Sequence, residues 1–144
     1  MAVTPCAGFV NSVGAVVIGF LAGAICFLAI SLKFRFGYDD ALDVIAVHLV
    51  GGALGSVLLG LFADAGVNEA GQDGVLFGGG WSLFTEQVIA VGAVLVYSFV
   101  VSLVIGLALK AMLPKGIRAS DDEEDRGLDL TQHSETGYSL EFAS

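Results

Sequence analysis

Asp39-Asp40-Ala41-Leu42-Asp43-Val44-Ile45-Ala46-Val47-His48-Leu49-Val50-Gly51-Gly52 decides how the chain is read, because it sets one ionisable side chain inside an apolar run that extends to Ala63. With a helix starting near Asp40, His48 lies eight residues in. At about 1.5 Å per residue that is roughly 12 Å, close to half of a hydrocarbon core about 30 Å thick, so the histidine is expected near a membrane midplane. Asp40 and Asp43 stand at capping-box spacing. Asp40 can accept from the orphan N–H groups of a helix start, and Asp43, in the first turn, is favoured by the helix dipole. On a helix, His48 shares a face with Gly51, Gly52 and Gly55, which predicts an imidazole above a glycine groove used for packing. A histidine in hydrocarbon is costly, so it should face protein or a pore and stay neutral, donating from one ring nitrogen and accepting at the other. A structural hydrogen bond between helices and a place on a solute path explain it equally well at this point.

The composition agrees with a bilayer as solvent. Of 144 residues, 56% are hydrophobic, only 15% are charged and 20 are glycine, with a mean hydropathy of +0.83. Those values exclude an ordinary soluble domain and predict an all-α polytopic membrane protein, since helices satisfy their own backbone in lipid. The net charge of -9 is concentrated: from Ala119 onward the chain carries eight acids against one arginine. Such a tail repels nucleic acid and anionic lipid headgroups, which favours a protein over either as its partner. Cys6 and Cys26 have no metal-ligand or redox spacing and read as buried small residues. No basic n-region precedes the first apolar run, which is therefore expected to be a retained span and not a cleaved leader.

Taken in order, residues 13–32 form a first span, and its Gly19-x-x-x-Gly23 spacing reads as helix packing. Lys33 and Arg35 follow and mark that end as cytoplasmic. The second span is 44–63. Residues 64–87 are glycine-rich and lack lysine and arginine, which predicts an external loop; Gly78-Gly79-Gly80 has no phosphate-binding pattern behind it. The third span is 88–109, followed by Lys110, Lys115 and Arg118, with Pro114 and Gly116 ending the helix. The basic flanks agree on an N-terminus outside and a C-terminus in the cytoplasm of a plasma-membrane protein. The expected division is a membrane region over 1–113 and a cytoplasmic tail over 114–144. In that tail Leu128, Leu130 and Tyr138 interrupt the acids and could anchor it to a surface. No catalytic triad, metal cluster or phosphate loop can be assembled, so neither an enzyme nor a cofactor or metal site is expected.

Three stretches together resemble the C-terminal portion of the ammonium transporter (Amt/Mep/Rh) family, bacterial branch. Asp40 through Gly52 is similar to the family's D-x-x-D-V-x-x-V-H-x-x-G-G segment. Asp73-Gly-Val-Leu-Phe77-Gly-Gly-Gly80 is similar to an external loop. The run from Gly116 and Arg118 through Gly127, Leu128 and Asp129 to His133, Glu135 and Tyr138 is similar to its cytoplasmic tail. Ile45, Ala46 and Leu49 stand where the family more often has aromatic residues or glycine, and Arg126 where the tail often has an acid.

The resemblance implies the last three of eleven spans, with Thr4 to Gly8 similar to the end of the eighth. In the family, each protomer of a trimer has a narrow apolar pore with two hydrogen-bonded histidines at mid-depth. His48 would be the second, on the substrate path; Asp40 and Asp43 would cap its helix near the pore, and the matched tail residues would form a regulatory surface. The implied partners are ammonium or ammonia, the lipid bilayer, other transporter protomers in a homotrimer and a PII signalling protein, with no nucleic acid. Because the first histidine and most spans belong to other parts of the family pattern, the chain alone is expected not to transport. The alternative reading is a non-transporting membrane interaction protein that joins transporter trimers or binds a PII-type regulator through its tail.

Overall fold

The structure, a computed structural model, describes residues 1–113 and 116–135. Helix α1 spans Ser12–Phe36. It starts where the Asn11 side chain accepts from the Gly14 N–H at 3.0 Å, and it ends at Gly37, whose φ of 65° is a left-handed conformation open to glycine. After a turn, one π-helical turn over Ile45–Val50 runs into α2, Gly51–Phe62. Helix α3 spans Ser82–Met112, and two short helices follow, α4 at Asp121–Arg126 and α5 at Leu128–Gln132. Among the described residues there is no strand, only an isolated antiparallel bridge between Val10 and Ala63. The chain is all-α, as its composition predicts. Three of its helical segments, Ser12–Phe36, Ile45–Phe62 and Ser82–Met112, are long and apolar enough to cross a membrane.

Two of the three long helices outrun the spans expected from hydropathy. Helix α1 continues past Leu32 to Phe36, and α3 begins at Ser82, six residues before Val88. Hydropathy marks the part that suits hydrocarbon, whereas the backbone continues the helix through polar residues wherever local hydrogen bonds permit. Here the Ser82 hydroxyl meets Glu86 at 3.0 Å, and the Thr85 hydroxyl donates to the Trp81 carbonyl at 2.8 Å. The loop expected over 64–87 therefore ends at Trp81.

The chain divides into two compact units, Met1–Val96 and Tyr97–Ser144. In the first, the packed centre is small: Ile18 and Ala22 from α1, Leu58 from α2, and Ala2 and Cys6 from the N-terminal segment. Cys6 is buried as expected, with its thiol 3.4 Å from the Gly55 carbonyl, and burial pushes its pKa up. The packing works because Gly55 has no side chain; a Cβ there would run into the backbone of Ala2. Helix α3 approaches α2 in the same manner, since a Cβ on Gly60 would sit 2.5 Å from the Cα of Phe84. None of the residues of α3 is buried within the chain.

The start of α1 is tied to the end of α2. The Asp64 N–H donates to the Phe9 carbonyl at 2.9 Å, and the Asn11 amide donates to the Asp64 carboxylate at 2.9 Å. The following loop is pinned to the same place. Asp73 accepts from the Ala65 N–H at 2.8 Å, and the Gly74 N–H donates to the Ala63 carbonyl at 2.8 Å.

Candidate functional site

The helix carrying His48 begins at Val44, not near Asp40. His48 is thus four residues from the first helical residue, about 6 Å along the axis instead of the 12 Å expected from sequence. The shift arises because Asp40 caps from further away than a capping box. Its two carboxylate oxygens accept from the N–H groups of Val44 at 2.8 Å and Ile45 at 2.9 Å, four and five residues on. Asp43 is not in the first turn. It is the residue immediately before the helix, with a φ of 54° in the left-handed region, which aspartate enters more readily than most residues other than glycine but still at some cost. Its carboxylate pairs with Lys33, near the end of α1, and the same ammonium donates to the Asp40 carbonyl at 2.9 Å. A charge-assisted contact of this kind acts against that backbone cost.

His48 lies within the π turn, a wider helical turn in which hydrogen bonds reach five residues back, and such turns recur at functional sites. Its side chain is exposed within the chain and lines a cleft of about 310 Å³ between α2 and the first half of α3. Ser56 and Gln87 supply the cleft's other polar side chains, and Gly52, Ala90, Val91 and Val94 are among its apolar walls. Among the described residues no charged side chain lines it. The arrangement can therefore offer hydrogen bonds to a small neutral solute without a fixed charge beside it.

The three glycines expected on the histidine's face are divided. Gly52 lines the cleft with His48, and a Cβ there would meet nothing within 4 Å. Gly51 and Gly55 turn toward the packed side, where a Cβ on Gly51 would lie 3.3 Å from the Cys26 thiol. The π turn is the physical reason: by widening one turn it changes the phase of residues before it relative to those after it, so regular 3.6-residue spacing no longer holds across Gly51.

In the second unit, Arg118 forms a two-armed ion pair with Glu124, both contacts at 3.1 Å, and Ser120 caps α4 through a reciprocal capping box with Glu123. Gly116 and Gly127 have φ of 80° and 90°, so each occupies a backbone conformation that favours glycine. Leu128 and Asp129 begin α5, His133 ends it, and the Glu135 N–H donates to the Asp129 carbonyl at 2.9 Å. Leu128, Leu130, His133 and Glu135 are exposed. Tyr138, Pro114 and Lys115 lie outside the described residues.

Sequence reasoning missed Lys33 as a partner of Asp43, having used it only as a topological marker. It also missed Ser56 and Gln87. Ser56 could have been found, since it lies one regular turn beyond Gly52 on the same face of α2; Gln87 falls within the loop that hydropathy predicts.

Comparison with known proteins then adds the context. The family model described as Ammonium Transporter Family matches residues 1–138. The ammonium transporter of Bacillus subtilis (strain 168) is 45% identical over 139 residues, covering 96% of this chain and 34% of the relative. Ammonium transporter Amt1 of Archaeoglobus fulgidus is 44% identical over 137 residues, 95% of this chain and 34% of its own length. The ammonium transporter of Aquifex aeolicus is 43% identical over 141 residues, 97% of this chain and 32% of its own. The chain spans about a third of the length of the curated relatives it matches.

Proposed function

We propose that this chain, which belongs to the Ammonium Transporter Family, supplies one side of a path for ammonia across the plasma membrane and conducts only with spans beyond its own three. The observation that carries this reading is the exposed imidazole of His48 in an uncharged, largely apolar cleft. A bare ammonium ion in such a place is strongly disfavoured, whereas ammonia is a small neutral solute that an imidazole can hydrogen-bond at either nitrogen. In this mechanism ammonium gives up its proton at the outer face, ammonia crosses the dry stretch, and His48 with a second histidine assists the movement of the proton. Asp40 and Asp43 hold the start of the helix that bears His48.

The same reading places the N-terminus outside and the loop before α3 on the outer face, with residues 1–113 as the membrane region and 114–144 as a cytoplasmic regulatory tail. Lys33, Arg35, Lys110 and Arg118 support that orientation. Protomers assemble as a trimer, and the tail residues Gly116, Arg118, Gly127, Leu128, Asp129, His133 and Glu135 serve a neighbouring protomer and a PII-type regulator.

The test is a chimera in which this chain replaces the matching third of the Bacillus subtilis transporter, assayed by radiolabelled methylammonium uptake. His48→Ala in the chimera is expected to lower uptake by at least about tenfold, equivalent to about 1.4 kcal/mol in the barrier. Unchanged flux and unchanged solute preference would overturn the role of His48.

A further inference from the structure

Lys33 does more in this structure than end a helix. Its side chain is 17% exposed and that of Asp43 33%, so the pair is partly shielded from solvent. One ammonium joins the last turn of α1 to two points of the following turn: the carbonyl of Asp40 and the carboxylate of Asp43. The same ammonium also lies 5.3 Å from the centroid of the Phe34 ring. The two residues it grips control the next helix from different directions. Asp40 turns both carboxylate oxygens onto Val44 and Ile45, and the Asp43 carbonyl accepts from the Val47 N–H at 2.9 Å. Beyond them, Gly51 and Gly55 are fixed against Cys26 and Ala2. The π turn is what fits between these two fixed ends, and His48 lies inside it.

We propose that Lys33 is a positioning residue for His48: by holding Asp40 and Asp43 it sets the phase at which the helix starts, keeps its first turns π-helical, and so aims the imidazole into the cleft. Without the ammonium, Asp43 has no counter-charge to favour its left-handed backbone, and the cap is free to re-form in the regular α register. In that register the imidazole is carried around the helix axis while Gly51 and Gly55 stay packed. The proposal takes its importance from the reading of His48 as a path residue, but the geometry it asserts stands without it.

The experiment uses the whole chain in lipid nanodiscs with ¹⁵N-labelled histidine, His48 being assigned by the His48→Gln variant. Lys33→Met is expected to move the His48 ring nitrogen resonances and to speed amide exchange at residues 44–51 by at least about tenfold. Lys33→Arg, which keeps the charge and can still span both acceptors, is expected to restore both readouts. Asp43→Asn should shift His48 in the same sense, and the double variant should go no further than either single one. Wild-type ring resonances in a Lys33→Met chain of native helix content would overturn the proposal, as would additive effects or a Lys33→Arg chain that behaves like Lys33→Met. None of these readouts requires transport, so failure of the chimera's uptake assay and failure of this proposal are distinguishable.

Discussion

At the residue scale, the two acids before the helix divide their work. Asp40→Ala removes the acceptor for two helix-start N–H groups and is expected to cost about 1–2 kcal/mol, read as a lower unfolding midpoint in detergent and faster exchange at Val44 and Ile45. Asp43→Val is expected to be worse than Asp43→Asn in the same assay, because asparagine tolerates a left-handed backbone and valine does not. Asp40 as a cap was legible from the chemistry of its side chain and its place before an apolar run. The conformation of Asp43 was not, because it depends on an ammonium ten residues earlier in the chain. A positive charge after an apolar span has a ready topological meaning, and nothing in its spacing announces the second one.

At the element scale, glycine is used in two distinct ways along α2. Gly55 permits the Ala2 backbone to lie against the helix, so Gly55→Ala is expected to destabilise the unit by about 1–3 kcal/mol. Gly52 faces open space, and Gly52→Ala is expected to be neutral or to stabilise by up to about 1 kcal/mol through helix propensity alone. Alkylation of Cys6 separates the two: its buried thiol, with a raised pKa and so little thiolate at neutral pH, should react slowly in the parent and in Gly52→Ala, and faster in Gly55→Ala. The existence of three apolar helices was legible from hydropathy. Their ends were not, because polar first turns such as Ser82 to Gln87 satisfy their own hydrogen bonds. The π turn left no mark in the residue pattern; it follows from fixed points on either side of it.

At the scale of the molecule, the notable property is how little of the apolar surface is used internally. Helix α3 buries none of its residues within the chain, and large side chains such as Phe20, Val13 and Tyr97 are at least 70% exposed. That is what lipid or further helices, and not water, must cover. Cells expressing only this chain are accordingly expected to show no methylammonium uptake above background; robust uptake would refute the need for further spans. Membership of a membrane transport family was legible because the histidine, the loop and the tail match one family pattern together. The open side of the cleft was not, since the composition of α3 says that it is apolar but not which neighbour it meets.

The ties at the two ends of the first helical pair have a mechanical consequence. Val10 and Asn11 are held to Ala63 and Asp64 at one end, and Lys33 is held to Asp40 and Asp43 at the other, 22 residues of α1 apart. A rod pinned to its neighbour at both ends has little axial freedom. Ties at both ends oppose sliding of the first helix along the second, so bending between them is the easier deformation of this pair.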